Sequence, residues 1–269
     1  MKEEIHPLPG HQPKRQPLTK EAGLASHEAK ERMLVGKTYP LFLADWSGVV
    51  MAHFEVEPSR LQRLTSFALD LFQGRAFVSL VVFHMDRMRL RMLPRLSEPL
   101  FAPFTNSWFL NLRTYVRHGD EPGIQFLVEW LSNRLSVPLG GPLYGLPYRA
   151  GLFDFHRAGG ERRICVQPRE GGGRFESGFN PMGLDEMSHP RSQTEFLMER
   201  YTAFTDHCGT RRRFRIWHPA WLPQSCRVVK CDASILAATF SELSDARLVS
   251  VTCSDGVSDV WMGRPERLN

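Results

Sequence analysis

Between residues 75 and 116 the chain repeatedly swaps apolar for polar side chains at every second position, and this period constrains its fold more than any other feature. Met88, Leu90 and Met92 alternate with Arg87, Arg89 and Arg91. Leu110, Leu112, Thr114 and Val116 alternate with Asn111, Arg113 and Tyr115. A period of two places successive side chains on opposite faces of an extended strand. Trp46 to Val56, which is mostly apolar, reads as a buried strand, and Arg75 to Met92 as a long strand or bent hairpin. Further strands are predicted at Ile124 to Trp130, Ala150 to His156, Arg162 to Gln167, Arg213 to His218 and Arg247 to Cys253.

Helical spacing is confined to a few places. One helix is predicted from Pro58, with Leu61, Leu64, Ala68 and Leu71 on one face, proline being well tolerated in a first turn. A second follows the capping box Ser192-Gln193-Thr194-Glu195 and carries Phe196, Leu197, Glu199, Arg200, Tyr201 and Phe204. Many antiparallel strands with two or three packed helices predict an α+β, mainly β fold, a strongly curved antiparallel sheet or barrel. Residues 1–32 hold four prolines and few apolar side chains and read as a flexible tail with a weakly anchored helix near Lys20 to Met33. Residues 33–269 read as a single domain.

Composition removes several function classes. No apolar run reaches the length of a membrane span; the best candidate, Leu41 to Phe54, is short and carries Asp45 and His53. The amino terminus opens with acids and prolines, unlike a secretion signal, so a cytoplasmic location is expected. The five cysteines lack C-x-x-C spacing and read as reduced thiols. No tight histidine pair is present, so neither a metal nor a cofactor is expected. After Lys37 the only lysine is Lys230, the rest of the positive charge being arginine, which binds anions through a planar fork but cannot form an imine. The net charge of +5 is too small to make nucleic acid the expected partner, although Arg87, Arg89, Arg91, Arg95, Arg211, Arg212, Arg213 and Arg215 could form a basic surface.

Three segments are candidates for a site. The strand bearing Asn111, Arg113 and Tyr115 presents either a solvated face or the wall of a polar cavity, in which Arg113 would hold an anion. The turn Gly145-Leu146-Pro147 aims Tyr148 and Arg149. Glu199-Arg200-Tyr201 is followed by Trp217-His218-Pro219-Ala220-Trp221, in which His218 is either a structural hydrogen-bonder or a proton-transfer group.

Together these segments resemble the bacterial YqjF-like proteins, domain of unknown function 2071, from about Trp46 to Met262. The resemblance is carried by Trp46 and His53, by Gly74 to Val81 and by Asn111 to Val116. It continues through Leu146 to Arg149, Phe196 to Tyr201, His218 to Trp221 and Ser254 to Val257. Phe109 stands where the family usually has a glutamate, and Ala220 separates proline from tryptophan. The resemblance implies a fold similar to acetoacetate decarboxylase, whose lysine pair follows a Gly-x-Pro turn; here that pair is replaced by Tyr148 and Arg149, so Schiff-base chemistry is not expected. The expected function is binding of a small anionic or carbonyl-containing molecule in an internal pocket. Its contacts would be Asn111, Arg113, Tyr115, Tyr148, Arg149, Arg200, Tyr201 and His53, with Tyr148 and His218 as candidate catalytic groups. The alternatives are nucleic-acid binding through arginines and a non-catalytic module whose interior is filled by Phe109 and its aromatic neighbours.

Overall fold

The computed structural model describes residues 24–35, 39–158, 160–184 and 191–268. In chain order the elements are α1 (Leu24–Val35), β1 (Pro40–Val56), α2 (Pro58–Leu61), β2 (Ala68–Leu69), β3 (Ala76–Leu90), α3 (Pro94–Phe101), β4 (Ser107–His118) and β5 (Glu121–Leu131). Then come α4 (Val137–Tyr144), β6 (Tyr148–Ala158), β7 (Glu161–Pro168), β8 (Phe175–Leu184), α5 (Gln193–Met198), β9 (Thr202–His207) and β10 (Thr210–Trp217). The chain closes with β11 (Gln224–Asp232), α6 (Ser234–Thr239), β12 (Arg247–Gly263) and β13 (Glu266–Arg267).

Among the described residues thirteen strands join one large curved sheet, ordered β13-β10-β9-β5-β6-β7-β8-β11-β12-β1-β3-β4-β2, with added pairings β4–β5 and β10–β12. The fold is α+β and mainly β, as the alternation predicts. Two pairings, β5–β6 and β5–β9, are parallel, in a sheet expected to be antiparallel throughout. The helices number six among the described residues and are all short.

The centre of the sheet is buried on both faces. On one face of β1, β3 and β4, Ala52, Phe54, Leu80, Val82, Leu110 and Leu112 build the main apolar core. The alternate residues, among them Met51, Val81, Phe83 and Phe109, form a second cluster on the other face. The polar face of β4 is therefore not a solvated one: Asn111 and Arg113 are 4% and 7% exposed.

Two local expectations are corrected. The helix expected over residues 58–71 stops after one turn at Leu61, and a 3₁₀ turn follows. Thr65 is extended and its hydroxyl bonds Gln125, while the Gln62 amide donates to the carbonyls of Thr65 and Phe67. This turn sends Phe67 into a pocket with Val116 and Phe204, where it is 2% exposed. The second helix ends at Met198, so Arg200 and Tyr201 lie in the non-helical segment leading into β9. Its cap forms as expected on one side only: Ser192 Oγ accepts from the Glu195 N–H, while the Glu195 carboxylate turns to the N–H of Arg191.

Helix α1 covers residues 24–35, within and just beyond the stretch near Lys20 to Met33 where a short helix is expected, and it packs on the sheet. Met33 is fully buried, Ser26 Oγ donates to the His218 carbonyl at 2.7 Å, and Trp217 Nε1 donates to the Ser26 carbonyl at 2.9 Å. Lys30 lies 4.5 Å from the Trp217 ring, a cation–π contact. Residues 1–23 lie outside the described residues.

Candidate functional site

The second face of the sheet leaves a cavity of about 80 Å³, walled by β1, β3, β4, β5, β10 and the start of β6. Phe83 and Phe109 stack there at 5.1 Å, and Trp46 stacks on Trp221 at 6.3 Å. These rings narrow the interior without filling it.

The polar lining comes from Asn111 and Arg113 on β4, Glu129 on β5, Tyr148 at the start of β6, and Arg200 and His218. Asn111, Glu129 and Tyr148 are brought together by strand register. Asn111 pairs with Glu129 across β4–β5, and Glu129 pairs with Tyr148 across β5–β6, so the three stand in a row on adjacent strands. Neighbouring strands lie about 4.8 Å apart.

Sequence reasoning missed Glu129. In a regular strand Ile124 and Phe126 share a face and Glu129 falls on the other. Between Leu112↔Val128 and Arg113↔Phe126 the ladder skips Leu127, a β-bulge that resets the facing. Phe126 and Glu129 then line the same cavity although they are three residues apart. The bulge supplies a carboxyl from β5 on the wall where Phe109 leaves β4 without one. The only sequence sign was a carboxyl amid the apolar run from Ile124 to Leu131.

Three buried polar atoms on this wall lack partners: Asn111 Oδ1, Arg113 Nε and Glu129 Oε2. Arg113 donates through Nη2 to the Leu197 carbonyl at 2.9 Å and touches Met51 Sδ at 3.7 Å. Among the described residues no carboxylate pairs with it, whereas Arg200 is held by Asp70 at 2.7 Å and by the Phe196 carbonyl. Burial lowers the proton affinity of Arg200, and Asp70 opposes that shift.

Burial pushes the Glu129 carboxyl up to about 8, so at neutral pH it is largely a protonated acid able to donate a hydrogen bond. Tyr148 is raised well above its usual value by burial and by the nearby Glu129. His218 is lowered to about 4, chiefly by burial, against the pull of the Pro219 carbonyl that accepts from Nδ1 at 2.8 Å. Of these three, only Glu129 has a proton affinity suited to proton transfer near neutral pH.

The remaining expected contacts fall elsewhere. Arg149 is exposed and is not in the lining, because the alternation of β6 turns it away when Tyr148 turns in. Tyr115 and His53 are buried just outside the cavity. His53 Nδ1 meets Ser79 Oγ at 2.7 Å, Ser79 Oγ meets the Tyr115 hydroxyl at 2.6 Å, and that hydroxyl donates to the Leu197 carbonyl. The chain thus ends on the same carbonyl that holds Arg113. Burial and the charge of Arg113 lower His53 to about 3, so it stays neutral. Tyr201 also stands behind the wall: its hydroxyl donates to Glu199, whose other oxygen accepts the Trp221 N–H at 2.9 Å. Burial lifts Glu199 to about 7.

Lys230 lies outside the cavity and pairs with Glu176 at 2.9 Å. Much of the arginine surface is neutralised: Arg87 pairs with Asp45 and Glu98, Arg89 with Asp45 and Asp259, and Arg213 with Glu121 and Glu266. Among the described residues no helix is long and apolar enough to cross a membrane.

Comparison with known proteins adds family and fold. The DUF2071 family, described as an uncharacterised conserved protein, matches residues 43–258. The chain belongs to that family. It is 27% identical over 183 residues to the uncharacterised protein YqjF of Bacillus subtilis, covering 67% of this chain and 74% of YqjF. The fold is similar to that of acetoacetate decarboxylase from Legionella pneumophila, with a TM-score of 0.55 at 11% identity over 85% of this chain and 87% of that one. It is also similar to the enduracididine biosynthesis enzyme MppR, solved in complex with pyruvate, with a TM-score of 0.57 at 12% identity over 87% and 93%. At these identities the likeness concerns the fold alone.

Proposed function

We propose that this DUF2071 protein binds a short carboxylate or carbonyl-bearing organic molecule in the cavity beneath β4 and β5, without an imine to lysine. The observation that carries the reading is Arg113: a buried guanidinium with a bare Nε and, among the described residues, no carboxylate partner. Leaving a charge uncompensated in an apolar interior is costly, and an anionic guest would offset that cost. Asn111 and the protonated Glu129 stand next to it as neutral hydrogen-bonding groups, suited to an oxygen of the same guest.

Size narrows the guest. A cavity of ~150 Å³ admits benzene. The 80 Å³ here, about half of that, suits roughly three or four non-hydrogen atoms. Met51, Met85 and Met262 line the wall, and flexible methionines let a somewhat larger guest enter. Pyruvate bound to MppR is a guest of this chemical class in a protein of similar fold.

A calorimetric panel of formate, acetate, glyoxylate, pyruvate and acetoacetate, with neutral amides of matched size as controls, tests the reading. At least one acid should bind, its matched amide should not, and Arg113→Met should weaken binding by tenfold or more while the protein stays folded. Equal affinity of the Arg113→Met protein for the same acid would refute the assignment. Borohydride should trap no covalent adduct with the bound ligand.

A further inference from the structure

Far from the polar wall, two thiols meet. Cys226 on β11 and Cys253 on β12 have their sulfurs 3.2 Å apart, with the Cys226 thiol directed at Cys253. Cys253 is 1% exposed and belongs to the main apolar core, while Cys226 is half-buried. The strands that carry them are joined by only two register pairs, Gln224↔Cys253 and Ser225↔Thr252. Cys226 follows this short ladder on β11, and its sulfur reaches back diagonally to Cys253, the residue paired with Gln224.

A disulfide bond is about 2.05 Å long, so the sulfurs must close by roughly 1 Å. Two thiols also make fewer and weaker hydrogen bonds than hydroxyls or amides, so little is lost when they are oxidised. We propose that Cys226 and Cys253 are a modification site, forming an intramolecular disulfide on exposure to a peroxide and thereby fastening β11 to β12.

The chemistry balances with hydrogen peroxide as the two-electron oxidant. The more accessible Cys226 sulfur attacks one peroxide oxygen, the O–O bond breaks, and a sulfenic acid and one water form. Cys253 Sγ then attacks Cys226 Sγ, the S–O bond breaks, and the hydroxyl leaves with the Cys253 proton as a second water. Two thiols and one peroxide become one disulfide and two waters. Reduction by a dithiol reverses the step through exchange.

The full chain should be treated with a small excess of hydrogen peroxide, alkylated, and digested without reductant. The expected result is a mass loss of about 2 Da before alkylation, a drop from five alkylatable thiols to three, and a peptide joining residues 226 and 253. The exposed Cys208 serves as the internal comparison and should remain outside the crosslink. Cys226→Ser and Cys253→Ser should each abolish the 2 Da loss. Circular dichroism and unfolding temperature check that each variant is folded, and if Cys253→Ser is not, Cys253→Ala replaces it. Cys226 oxidised to sulfinic acid beside a free Cys253 would overturn the proposal. A crosslink through Cys208, or a 2 Da loss persisting in a folded variant, would do the same.

Discussion

Glu129→Gln keeps the outline of the side chain and removes its ionisation, which makes the burial of that carboxyl measurable. In the native chain burial holds it at about 8, while in the unfolded chain it returns to ~4.3. Between those values the folded protein keeps a proton that the unfolded protein has released. Its favourable effect is complete below the unfolded value and is lost as pH rises through the folded one. Each unit is worth about 1.4 kcal/mol, so going from pH 5 to pH 7 lowers the stability of the native protein by ~3 kcal/mol through this group. Glutamine has no such proton to hold.

Urea unfolding followed by tryptophan fluorescence at about pH 5, 6 and 7 gives the stability of both proteins. The advantage of the glutamine variant over the native chain should grow by ~3 kcal/mol across that range. Taking the difference removes the other titrating groups. Glu199, raised to about 7, gives a decline of the same sign in both proteins. His53 and His218, lowered to about 3 and 4, weaken both as pH falls below ~6.5. A difference that stays flat with pH would refute the picture of a buried carboxyl without a charge partner.

The same carboxyl should govern ligand binding. Affinity for a short carboxylate should fall as pH rises through about 8, where Glu129 loses its proton and repels the guest, and Glu129→Gln should flatten that profile when binding is followed by calorimetry. Gly140→Ala should disturb the wall from behind. A Cβ there would lie 2.4 Å from the Tyr148 ring, so the ring must move. Overpacking of this kind costs ~1–3 kcal/mol, and urea unfolding should show that loss together with weaker ligand binding.

The alternation of residues along β3 and β4, with the apolar run of β1, sufficed to predict a mainly β chain and to place Asn111 and Arg113 on one face of a strand. Strand alternation is a local steric property, so it can be read without knowing what lies across the ladder. It also separated Tyr148 from Arg149, since neighbours on a strand cannot both face inward, though both were expected in the pocket. Whether the polar face of β4 met water or an interior depended on what covered it, and only the curvature of the sheet and the strands beyond it decided that. The inward turn of Glu129 required the skipped residue at Leu127, which the register of β4 against β5 imposes. Docking of α1 was hidden for a similar reason. Its own sequence has no marked apolar face, and what holds it is a buried methionine and hydrogen bonds to residues some 190 positions away in β10 and after it. Local pattern sets which residues can share a face; only pairing between distant segments sets what that face meets.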